Sequence, residues 1–209
     1  LLKNLREMIA FGALARGEGL IAKCNDNVKI LSDLDLALIS QDRRMSAYRI
    51  STQLPKISRS VQCAFEVSMG VLKPRDFRTF RTLLFLDMKL AGKVLFGSRQ
   101  FLSDIDLKVN DIPLWEGVRL LFNNGVMPLL QVFNFDKKEV LETVYACNKT
   151  YLACCDALLL LSGAYSPTIS QRTELFEKIY SKNRPTLFDK IPFLVERVKQ
   201  SAEIRTQSK

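Results

Sequence analysis

The chain has 209 residues, 47% of them hydrophobic and 25% charged, a balance that builds a globular core and excludes a disordered or fibrous chain. It has no histidine, and its five cysteines, at 24, 63, 147, 154 and 155, form no C-x-x-C pair; this excludes a Cys/His zinc site, a Ser-His-Asp triad and a Cys-His protease. The formal charge of +9 would attract polyanions, but the basic residues are scattered and lack the aromatic interleaving of single-strand binders, so a solvated basic surface is the simpler reading.

In chain order, "EMIAFGAL" (7–14) is an apolar run ending at a glycine step, and "VKILSDLDLALI" (28–39) alternates as a strand does. The segment 41–59 is basic and polar, broken at Pro55, with a short helix expected near "MSAYRIS". A third strand is expected in "SVQCAFEVSM" (60–69), before Gly70. After Pro74 the period changes: Phe77, Phe80, Leu84, Met88 and Ala91 fall at helical spacing and Gly92 follows. "KVLFGSRQFLSDIDLKVNDI" reads as a short extended piece and a loop, and "PLWEGVRLLFNNG" as a helix opened by Pro113 and closed by Gly125. Residues 137–162 predict a long helix stopped by Gly163. Thr168 with Gln171 predicts a capped start for the next, and "PFLVERVKQSAEI" a last one.

Strands first and helices afterwards predict an α+β fold, with a boundary near residue 105 that separates domains 1–105 and 106–209. The apolar runs around Asp156 cover about half a membrane crossing, so no transmembrane helix is expected. The N-terminal residues lack a basic leader, apolar block and cleavage site in that order, which makes a cytoplasmic location the expectation.

One phrase occurs twice, as "SDLDL" (32–36) and "SDIDL" (103–107). On a strand, residues two apart share a face, so Asp33 and Asp35 project together. Two adjacent carboxylates repel, and a divalent cation such as magnesium relieves that repulsion. Glu66, on the third expected strand, can supply a further carboxylate to the first pair. After Asp104 and Asp106 come only expected helices, and these two read as loop residues that bind backbone amides before a helix. A solvated strand edge remains the alternative for Asp33 and Asp35.

"FGALARGEG" followed by "SDLDLALI" resembles the nucleotidyltransferase superfamily that shares its fold with DNA polymerase beta, in its minimal and antibiotic-modifying forms. The resemblance covers roughly residues 7–97. It implies a small mixed sheet with helices, followed by an all-α helical bundle for acceptor binding or dimerisation. It implies a magnesium-dependent transferase carrying two Mg2+ ions and using a nucleoside triphosphate, ATP among the candidates, as donor. Asp33, Asp35 and Glu66 would be the catalytic and metal-binding residues, and Gly12, Ala13, Arg16 and Ser32 the nucleotide-binding ones. Ala13 stands where the superfamily has serine, and the interval from Gly12 to Asp33 is longer than in compact members. Two readings therefore stand side by side: an active enzyme on a small molecule, sugar or protein, and a binding or interaction module that has lost turnover. Transfer to an RNA end is a third, not favoured. A homodimer is a possible partner state.

Overall fold

The computed structural model describes residues 5–19, 21–24, 27–30, 32–41, 67–127, 130, 140–182 and 190–207. The fold is α+β, and the chain divides into two compact units, one running to Lys108 and the other Val109–Gln207.

The first unit is built on a four-stranded mixed sheet. Its strands are β1 (Leu5–Phe11), β4 (Leu34–Ser40), β5 (Val67–Leu72) and β6 (Lys93–Phe96), in the spatial order β5-β4-β1-β6. β1 runs antiparallel to β4 and to β6, and β4 runs parallel to β5. The alternation in β4 puts Asp35, Ala37 and Ile39 on one face and Leu34, Leu36 and Leu38 on the other. Both faces are covered: Leu36, Ala37, Leu38 and Ile39 are all buried, so the strand reads as a nearly continuous apolar run.

A short helix, α1 (Gly12–Arg16), leaves the end of β1. It sets Ala15 against Ala10 of β1 and Leu36 of β4, with Leu34, Val67 and Met69 around them. A separate hairpin of β2 (Ile21–Cys24) and β3 (Asn27–Ile30) follows. The single strand expected over 28–39 is therefore two strands in two sheets, parted at Ser32 and Asp33, where the backbone leaves β geometry.

The helix expected over 74–92 is also divided, into α2 (Asp76–Thr79) and α3 (Leu83–Ala91). Phe80 is extended, at φ −102° and ψ 111°. Thr82 then caps α3 by accepting a hydrogen bond from the Phe85 N–H at 3.4 Å. Phe77 and Met88 reach the core as their spacing predicts, whereas Phe80 and Leu84 are exposed. Phe77 stacks on Phe85 with ring centroids 4.5 Å apart and meets Phe101 of α4 (Gln100–Ser103) edge-on at 5.3 Å. The extended piece expected near residue 93 is β6, the fourth strand of the sheet. Of the third expected strand, residues 67–69 open β5; 60–66, and the helix expected near "MSAYRIS", lie outside the described residues.

The second unit holds α5 (Trp115–Leu120), α6 (Val140–Leu161), α7 (Ile169–Lys182) and α8 (Leu194–Gln207). α5 does not stop at Gly125 as expected: it continues as a π-helical stretch over Leu121–Val126. Gly163, at φ +67°, follows the end of α6 in the left-handed conformation that glycine adopts without strain. Thr168 Oγ1 accepts from the Gln171 N–H at 3.4 Å, which is half of the expected capping box at the start of α7. The core joins α6, α7 and α8 through Cys155, Leu159, Phe176, Tyr180, Leu194 and Val198. By length and composition Thr143–Leu161 of α6 could cross a membrane, which the shorter runs counted in the sequence did not suggest. Within the unit it is a core helix, with Ala146, Ala153, Cys155, Leu159 and Leu160 buried.

Candidate functional site

The backbone at the top of β1 is set by Gly12. Phe11 is still extended, at φ −143°, and Gly12 turns the chain at φ +76° into α1. A side chain there would be strained by the backbone alone, and a Cβ would also run into the Asp35 carboxylate. Phe11 pairs with Asp35 across the antiparallel ladder. The glycine turn and the second aspartate of "SDLDL" are thus pressed together by strand register.

Asp35 is half-buried on β4, Asp33 is exposed immediately before the strand, and Ser32 is buried behind it. Across the parallel ladder Asp35 is level with Ser68 of β5 and Leu34 with Val67. Glu66 lies outside the described residues. Among the described residues no three carboxylates or thiols gather as a ready cation cage. One feature fits a hard cation nonetheless: Asp33 and Asp35 place two oxygen donors at the start of β4, one just before the strand and one on it. The Asp35 carboxylate fills the space that a Gly12 side chain would need.

Arg16 and Ala13 stand in the short helix. The Ala13 carbonyl accepts from the Glu18 N–H at 2.9 Å and the Leu14 carbonyl from the Gly17 N–H at 3.1 Å, which closes α1 over Gly17 in the left-handed region. The Arg16 guanidinium donates to Glu18 at 2.8 Å and to Asp87 of α3. All three side chains are at least 86% buried. A phosphate would have to compete with two carboxylates for this arginine, so "ARGEG" acts here as a brace between α1 and α3. Asp87 was not singled out in the sequence; a lone acid inside "LLFLDMKL" is the signal that marks it.

The second copy of the phrase lies elsewhere. Asp104 follows α4 and accepts from Gln100 Nε2 at 2.7 Å, and the Asp106 carbonyl accepts from Arg81 at 2.6 Å. Its glycine-serine step has a different partner: the buried carboxylate of Glu7 on β1 accepts from the Ser98 N–H at 2.6 Å. Nothing in the apolar run "EMIAF" foretold that Glu7 would point inward.

In the second unit, Arg172 donates to Asp156 at 2.9 Å and to the Tyr165 hydroxyl at 3.3 Å, tying α6 to α7. Burial raises the pKa of the Cys154 thiol, and at Cys155 burial raises it further, helped by the neighbouring Asp156 charge. Both are expected to resist iodoacetamide at pH 8 in the native protein and to react once it is unfolded, read by mass spectrometry. The unfolded thiols ionise near 9.0 and the folded ones only above it. Their contribution to stability is therefore complete below pH 9.0 and falls as pH rises beyond it.

Comparison with protein-family models, curated proteins and solved structures gives no match for this chain.

Proposed function

We propose that the first unit is a magnesium-dependent nucleotidyltransferase that moves a nucleoside monophosphate from a nucleoside triphosphate to an acceptor hydroxyl or amine. The observation that carries this reading is the junction of three elements. β1 ends in the left-handed Gly12 turn, the turn closes on Asp35, and Asp33 stands exposed one step earlier on the same chain. That combination brings two carboxylate residues and a glycine turn to one end of the sheet, which supports the reading.

In this reading Asp33 and Asp35, with Glu66, hold magnesium, which when bound neutralises charge on the triphosphate. The Gly12–Ala13 turn and Ser32 would meet the phosphates, and Glu66 would accept the proton of the attacking acceptor. The acceptor atom bonds to the α-phosphorus and pyrophosphate leaves. The helices described in the second unit would form the appended bundle that chooses the acceptor, in a cytoplasmic protein. The second reading, a module that binds nucleotide without turnover, is favoured by two observations: Ala13 removes a hydroxyl, and Arg16 is engaged by Glu18 and Asp87.

Calorimetry with the four nucleoside triphosphates separates these readings. The wild type is expected to bind at least one triphosphate in the presence of Mg2+, and Asp33→Asn with Asp35→Asn to weaken that binding at least about 100-fold. Far-UV circular dichroism should remain unchanged, since neither side chain is in the core. Release of pyrophosphate in an acceptor screen then marks the active enzyme, and binding without release the module. Absence of binding by the wild type would remove the enzyme and the nucleotide-binding module, leaving an interaction module.

A further inference from the structure

We infer that the outer face of α5 and its π-helical extension is the contact surface between two copies of this chain. The helix is built inside out. Its buried positions are Gly117 and Gly125 with the ion-paired Glu116, and no large apolar residue: a Cβ on Gly117 would meet the Ala157 backbone at 3.4 Å, and Gly125 sits beside Thr150, whose hydroxyl donates to the Gly125 carbonyl at 3.3 Å. The large apolar residues point away. Leu114, Trp115, Val118, Phe122 and Val126 are between 44% and 67% exposed. An amphipathic helix of a self-sufficient unit has the opposite order, with large side chains inward and polar ones outward.

At these exposed fractions the five residues with Met127 leave roughly 600 Å² of apolar surface in total, the upper end of what monomers keep open. With a polar rim this approaches the roughly 800 Å² per partner of a standard stable interface. Charge selects the occupant. Between Leu114 and Met127 the sole charged residues are Glu116 and Arg119, and they satisfy each other through two hydrogen bonds, at 2.7 and 2.9 Å. A different protein recruited to a chain of net charge +9 would be steered by charge on the docking face, and this face offers none free. An uncharged, aromatic-rich centre is the composition of a homodimer interface. Two helices crossing antiparallel would also set Trp115 and Leu114 of one copy near Val126 and Met127 of the other, large against small. The inference does not depend on the nucleotidyltransferase reading.

Trp115 is the only tryptophan in the chain, so the face carries its own reporter. The test is sedimentation equilibrium on the full chain from about 1 to 100 µM, combined with Trp115 emission. Expected are a dimer for the wild type, a monomer for Val118→Glu and Phe122→Ser, and a red shift of emission in both variants. Circular dichroism shows whether each variant is folded, and either folded one suffices. Three results would overturn the inference: a wild-type monomer with water-exposed Trp115 emission, a wild-type monomer with blue emission, meaning that the face is covered from within its own chain, or a dimer that both folded variants preserve.

Discussion

Phe176→Ala is expected to cost the second unit about 3–5 kcal/mol. The ring is fully buried among Cys155, Leu159, Tyr180, Leu194 and Val198, where α6, α7 and α8 meet, and it packs at 4.8 Å on Tyr180. Tyr180 is itself anchored, donating from its hydroxyl to the Leu158 carbonyl at 2.6 Å. Because that anchor holds the neighbouring ring in place, the gap left by alanine closes only in part. Urea unfolding followed by Trp115 fluorescence, which reports on this unit, should show the midpoint falling by more than about 1 M with an unchanged slope. A fall of a few tenths would mean that the helices collapse onto the vacancy.

The second large effect is expected at Gly97. Its φ is +96°, and a Cβ would stand 2.5 Å from the Arg6 carbonyl oxygen and against the Glu7 carboxylate. Gly97→Val therefore combines backbone strain with displacement of a buried acid from the Ser98 N–H, a cost of about 3 kcal/mol or more. Gly70→Ala is the control. Gly70 lies on β5, the outer strand among the described residues, with open space where a Cβ would stand, and alanine there should be neutral or stabilise by about 0.5 kcal/mol. Thermal unfolding of the two variants by circular dichroism reads the contrast; equal loss in both would refute the steric account.

The α+β character was legible because it rests on patterns that tertiary contacts reinforce. β4 alternates Leu34, Leu36 and Leu38 against Asp35, and α6, α7 and α8 are long and carry stop or cap residues such as Gly163 and Thr168. What escaped was set by contacts distant in sequence. The alternation from Val28 to Ile39 falters at Ile30-Leu31 and Ser32-Asp33, a slip too short to read as a strand end, yet there the chain changes sheets because β3 pairs with β2 and β4 with β1. The periodicity over 74–92 ignores Thr82, whose side chain competes for the Phe85 amide and starts a new helix. Of the candidate residues, Asp33, Asp35 and Gly12 were marked by local spacing. The partners that fix Arg16 were less visible: Glu18 is two residues away, but Asp87 is reached only through the packing of α1 beside α3.

The position of β1 in the sheet bears on how the chain is made. β1 precedes every other strand of its sheet along the chain, and it lies between β4 and β6. β6 begins only at Lys93, so at roughly 5–20 residues per second the first strand waits several seconds for its last neighbour. During that interval its unpaired edge is open to other nascent chains. The lone acid Glu7 and the adjacent Arg6 on that strand give the waiting edge charge, and only the arrival of Gly97 and Ser98 draws the acid into its buried hydrogen bond.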